Sequence, residues 1–186
     1  MFEPTRILRD EHNVILQGLE LLESCTERLE AGESISPDTL DSLIEFFKLF
    51  ADKTHHGKEE ALLFPAMAEK GFSYESGPLH CMLSEHEQNR ALTRRMVQAS
   101  AELREGDNSA GQRFAEAASE YVYVLRQHIQ KENTVLFNMA EQVIPVTEEP
   151  ALLAKFHDVD QNQIGLAEIL RLKHILVQVQ ETVPVA

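Results

Sequence analysis

The chain has 186 residues, 43% of them hydrophobic, no tryptophan and a formal net charge of −14, which fits one main domain with a sizeable core. So acidic a chain is a poor partner for nucleic acid or an anionic membrane surface, because phosphate binding draws its affinity from lysines and arginines gathered on one face. No stretch approaches the roughly 20 apolar residues of a membrane span, and the charged start MFEPTRILRDEHN is unlike the apolar run of a signal peptide, so a cytoplasmic location is expected.

Seven prolines and eight glycines cluster between long apolar-periodic stretches, which favours helices over the frequent turns of an all-β chain. Leu8, His12, Ile15, Leu19, Leu22 and Leu29 recur at helical spacing and predict a first helix over about 5–30, ending near Gly32. Ser36 as N-cap and Pro37 in the first turn predict the start of a second, with Leu40, Ile44, Phe47, Ala51 and His55 on its inner face. Gly77-Pro78 opens a third, whose inner face reads Leu79, Leu83, His86, Thr93 and Val97. A fourth starts near Ser109, with Phe114, Ala117, Tyr121, Val124, His128, Glu132, Val135 and Met139 facing inward.

Long helices with short connections predict an all-α, up-down-up-down four-helix bundle over residues 1–143. Residues 144–186 read as an extension of one or two further helices packed on it. Cys25 and Cys81 form no C-x-x-C pair and read as small buried packing residues.

Every predicted seam contains a histidine, and two contain a glutamate, where the pattern asks for an apolar residue. An internal repeat accompanies them: HHGKEEALLF at 55–64 matches HIQKENTVLF at 128–137, pairing His55 with His128, Lys58 with Lys131 and Glu59 with Glu132. A histidine and a glutamate four apart stack one turn above the other on a helix face. Such a pair can hold one metal through its imidazole and share its carboxylate with a second. His56 and Glu60 have the same spacing, but they align with Ile129 and Asn133, so the repeat favours His55 and Glu59, with His56 and Glu60 as neighbours that tune the site or face water.

Counted from the helix turns, His12 lies about as deep as His55 and Glu59, and His86 about as deep as His128 and Glu132. The match across the second connection is poorer, and the loop from Gly71 to Gly77 is expected to absorb the difference. Burying four imidazoles and two carboxylates unpartnered costs about 2–7 kcal/mol for each polar group, a conflict that metal ions remove. Histidine and carboxylate without thiolate suit iron, manganese or zinc.

The segments EH at 11–12, HHGKEEALLFP at 55–65, GPLHCMLSEHEQNR at 77–90 and HIQKENTVLF at 128–137 together resemble the hemerythrin-like HHE cation-binding family across residues 5–141. The resemblance implies His12, His55, His86 and His128 as terminal ligands, Glu59 and Glu132 as bridges, and two iron ions joined by an oxo or hydroxo bridge. It implies dioxygen or nitric oxide as small ligand, with oxygen binding, sensing, iron handling or iron–sulfur cluster repair among the family activities. Oxygen-carrying members usually have a further histidine and an aspartate where this chain has Met82 and Asn133, which points to the four-histidine, two-glutamate branch that contains repair proteins.

A di-iron oxidase or peroxidase, or a structural metal site with a partner-binding role, is the alternative expectation. No protein partner is indicated. Arg90, one turn after His86, is expected either to pair with a carboxylate near the site or to form a surface salt bridge. Tyr121 reads as core packing or a hydrogen-bond donor near the ligands, His80 as near-site or surface, and His157 and His174 as solvated.

Overall fold

The computed structural model describes residues 2–183 and is built of helices, with no strand among those residues. The first rod is α1, Glu3–Glu30. The second, residues 37–68, begins as α2 (Pro37–Phe46), passes through π-helical turns at Phe47–His56 and Glu59–Leu63, and ends as α3 (Phe64–Ala68). The third is α4, Gly77–Arg104. The fourth, residues 110–143, comprises α5 (Ala110–Lys131), a π-turn at Glu132–Leu136 and α6 (Phe137–Val143). Two further pieces follow: α7, Glu149–Asp158, with a π-turn at Val159–Ile164, and α8, Leu166–Thr182.

The local signals act as expected. Ser36 Oγ accepts the Asp38 amide at 3.2 Å, capping α2 ahead of Pro37. Gly32, at φ +81°, ends α1 while the Glu33 amide donates to the Arg28 carbonyl at 2.9 Å, a left-handed stop that glycine adopts without strain.

The core divides into two apolar clusters. One contains Ile15, Leu19, Leu22, Phe47, Ala51, Leu92, Met96, Phe114, Tyr121 and Leu125; the other contains Leu8, Leu63, Phe64, Leu79, Met82, Leu136, Phe137 and Ala140. The first and third rods run from the second cluster into the first, and the second and fourth run back. That alternation is the up-down-up-down bundle. The added helices both pack on the first and second rods, one at each level: Leu152 and Phe156 of α7 join the second cluster, and Leu172, Ile175, Leu176 and Val179 of α8 join the first.

Three sequence expectations need correction. Val135 and Met139 are exposed, because the π-turn at Glu132–Leu136 adds a residue and turns Leu136, Phe137 and Ala140 inward in their place. Val97 is exposed as well, since the inner face of α4 follows Met82, His86, Asn89 and Met96. Cys81 lies on the surface, whereas Cys25 is buried as expected.

Gly18 lies inside α1, where glycine costs about 1 kcal/mol relative to alanine. The helix tolerates it because the Phe46 ring packs against the bare backbone, and an added Cβ would lie 2.6 Å from Phe46 Cε1. Gly18→Ala is therefore expected to lower stability by about 1–3 kcal/mol in urea unfolding. An unchanged or raised midpoint would show that the ring moves aside freely.

Candidate metal centre

Between the two apolar clusters lies a polar layer to which each rod contributes at the level where its seam crosses from one cluster to the other. His12 comes from α1, His55, His56 and Glu59 from the second rod, His86 from α4, and His128 and Glu132 from the fourth rod. All seven are at most 1% exposed.

The layer holds two donor groups. His12, His55, Glu59 and Glu132 place one ligand atom each within 4.8 Å of one another, and so do His56, Glu59, His86 and His128. Glu59 belongs to both groups, with Oε1 3.6 Å from His55 Nε2 and Oε2 3.5 Å from His86 Nε2. Glu132 also spans them, its Oε2 lying 3.1 Å from His12 Nε2 and 3.2 Å from His128 Nε2.

All six residues singled out from the sequence thus come together, and a seventh joins them. His56 does not face water; its Nε2 is buried without a hydrogen-bond partner. The register of the repeat set it aside because its counterpart is Ile129. The π-helical segment Phe47–His56 explains the difference: its wider turn reduces the angular step between neighbours, so both His55 and His56 face the interior. The HH doublet was the available signal, but α-helical spacing gives no reason for both members to face inward.

Around the donors the repeat becomes a pseudo-twofold arrangement. His55 Nδ1–H donates to Glu11 at 3.0 Å, and His128 Nδ1–H donates to Glu85 at 2.9 Å. Glu11 and Glu85 each precede the next histidine, His12 and His86, and each is bound by the repeat lysine, Lys58 or Lys131. The Nδ1 atoms of His12 and His86 meet Asn133 Oδ1 at 2.9 Å and Glu60 at 2.7 Å, and those two residues are themselves repeat counterparts. Arg90 ties Glu60 to Asp52, with bonds of 2.7 and 2.8 Å. Because carboxylates only accept, they hold a proton on Nδ1 and turn Nε2 toward the centre.

Tyr121 packs edge-on against Phe47 at 5.0 Å in the apolar core. His80, His157 and His174 are exposed, away from the layer.

Burial, then the neighbouring histidines, holds His55 well below its usual range; burial and His86 bring His56 down to about 3. Glu59 lies well above the usual carboxylate range through burial and the facing Glu132. Burial would raise Glu132 too, but His128 and His12 hold it well below. At Glu85, burial is outweighed by His128 and Lys131, which bring it to about 2. Burial dominates at Glu11, leaving it above the usual range despite Lys58.

The donor set fits a cation. Seven inward atoms lack hydrogen-bond partners: Nε2 of His12, His55 and His56, and both carboxylate oxygens of Glu59 and of Glu132. The other two imidazoles, His86 and His128, turn Nε2 toward Nε2 at 3.1 Å. Two bare nitrogens at that distance repel unless a proton or a metal lies between them.

The hemerythrin HHE cation-binding domain matches residues 3–173. The chain belongs to that family. Uncharacterized proteins from Mycobacterium bovis and Mycobacterium tuberculosis are 23% identical over 164 residues, covering 88% of this chain. The chain spans 63% of the length of those relatives. No solved structure matches it. Among the described residues, no helix of this hemerythrin-family chain is long and apolar enough to cross a membrane.

The pseudo-symmetry breaks at the lysines. Lys58 is fully buried between Glu11 and Asp160, the latter 2.9 Å away from beyond α7, and its ammonium lies 5.9 Å from the Phe156 ring centroid. The Lys131 side chain is 42% exposed. Lys58→Met is expected to destabilise the protein by about 3–5 kcal/mol, because it removes the buried cation that joins Glu11 to Asp160, whereas Lys131→Met should cost under about 1 kcal/mol. Denaturant unfolding of both variants checks this, and equal losses would contradict the buried role of Lys58.

Proposed function

We propose that the chain holds two iron ions, one in each donor group, and binds a small diatomic ligand, dioxygen or nitric oxide, for sensing, protection or repair of iron–sulfur clusters. One observation carries the reading: the buried donors fall into two groups that share Glu59, and Glu132 reaches a histidine of each. Imidazole and carboxylate without thiolate suit iron, and carboxylates between two metals recur in bundle cores. His12, His55, Glu59, Glu132, His86, His128 and the added His56 would hold the pair.

The groups are unequal: one offers two histidines, the other three. The poorer group, His12 and His55, is the natural place for an exogenous ligand. Iron there supplies an open coordination position and a one-electron couple. The protein's own part is to orient and exclude. Glu11, Glu60 and Glu85 fix the imidazoles, and the apolar clusters above and below keep bulk water from the layer.

Anaerobic addition of ferrous iron, followed by metal analysis and then admission of dioxygen or nitric oxide, tests the reading. About two irons per chain and a visible absorption change with at least one gas are expected. His12→Ala and His86→Ala should each reduce the content to about one or less. Native protein that retains less than one iron, or that loads fully yet responds to neither gas, would contradict it.

A further inference from the structure

A cleft of about 310 Å³ opens between the second and third rods and ends against His56 at the edge of the metal centre. A diatomic molecule needs space on the order of one water, about 30 Å³, so the cleft is far larger than that ligand requires. Its size matches the lower end of pockets that hold small organic molecules.

The lining is ordered from mouth to floor. Lys48, Arg94 and Val97 are exposed at the mouth, while Asn89, Tyr121 and His56 are buried at the floor. Nine of the ten arginines pair with a carboxylate, as expected in a chain with a net charge of −14. Arg94 is the exception among the described residues, and Lys48 beside it likewise has no ion pair. The one acid in the cleft, Asp52, is already engaged by Arg90 at 2.8 Å and by His56 at 3.4 Å. The mouth therefore presents free positive charge in an otherwise negative protein.

The floor supplies the second, independent observation. Asn89 is 2% exposed, yet neither Nδ2 nor Oδ1 has a hydrogen-bond partner. Leaving a buried polar group unsatisfied is costly. A buried amide with no protein partner at the inner end of a cleft is suited to a ligand's polar group. Val97 near the mouth and the Tyr121 ring near the floor supply the apolar part of the lining.

We propose that this cleft binds a small organic acid with a carboxylate at one end and a hydroxyl or carbonyl at the other. The carboxylate lies between Arg94 and Lys48, the apolar body rests on Tyr121, and the far polar group meets Asn89 beside His56. The inference stands on the cleft itself and does not depend on which cation the centre holds.

Titration calorimetry of the purified protein with 4-hydroxybenzoate tests it, with metal content measured on the same samples. Saturable binding of one molecule per chain is expected, and 4-hydroxybenzamide, which lacks the charge, should bind roughly ten-fold more weakly. Arg94→Glu and Lys48→Glu should each weaken 4-hydroxybenzoate by roughly ten-fold or more at unchanged metal content. Arg95→Glu, one residue along α4 and outside the cleft lining, should leave affinity within about two-fold. Absence of saturable binding, equal affinity for acid and amide, or equal loss in all three variants would overturn the proposal. Low iron in samples that still bind the acid would count against the di-iron reading alone.

Discussion

Everything in this bundle is arranged around one costly fact: a layer of imidazoles and carboxylates sits between two apolar cores, with its inward atoms bare. Neutral polar groups placed this way are expensive, and charged ones more so. The chain tolerates the layer because each imidazole is anchored from behind by a carboxylate or an amide, so the free lone pairs converge on shared points. Had each donor found its own hydrogen-bond partner, the same residues would make an ordinary buried network with no affinity for cations. The family match and the geometry therefore agree on a cation-binding centre.

The fold was largely legible because apolar spacing and turn chemistry pointed the same way. Ser36-Pro37, Gly77-Pro78 and the glycine after α1 marked the ends, and the repeat between 55–64 and 128–137 marked the layer. Most of what escaped in the second and fourth rods is explained by one backbone device. π-Turns occur at equivalent places in the two repeats, Glu59–Leu63 and Glu132–Leu136, and a third, Phe47–His56, has no counterpart in the fourth rod. Reading with an α-helical period misplaced Val135 and Met139, and it gave no reason to bring His56 inside. The insertion that breaks the repeat is the one that adds the fifth imidazole.

The two halves of the centre also differ in what covers them. On the Glu11 side, Lys58 is sealed by Asp160 and Phe156 from the C-terminal helices, so the extension takes part in the environment of the layer and does not merely cover the bundle. On the Glu85 side, Lys131 remains near solvent. Next to His56, a cleft between the second and third rods runs up to the edge of the layer. A nearly symmetric donor set is thus placed in an asymmetric shell.

Anomalous diffraction at the iron edge, on crystals of iron-loaded protein, addresses the centre most directly. The account predicts two peaks about 3–4 Å apart, one beside His12 and His55 and the other among His56, His86 and His128, with Glu59 and Glu132 lying between them. No peak in the layer, or one lying elsewhere while these imidazoles bond to one another, would contradict it.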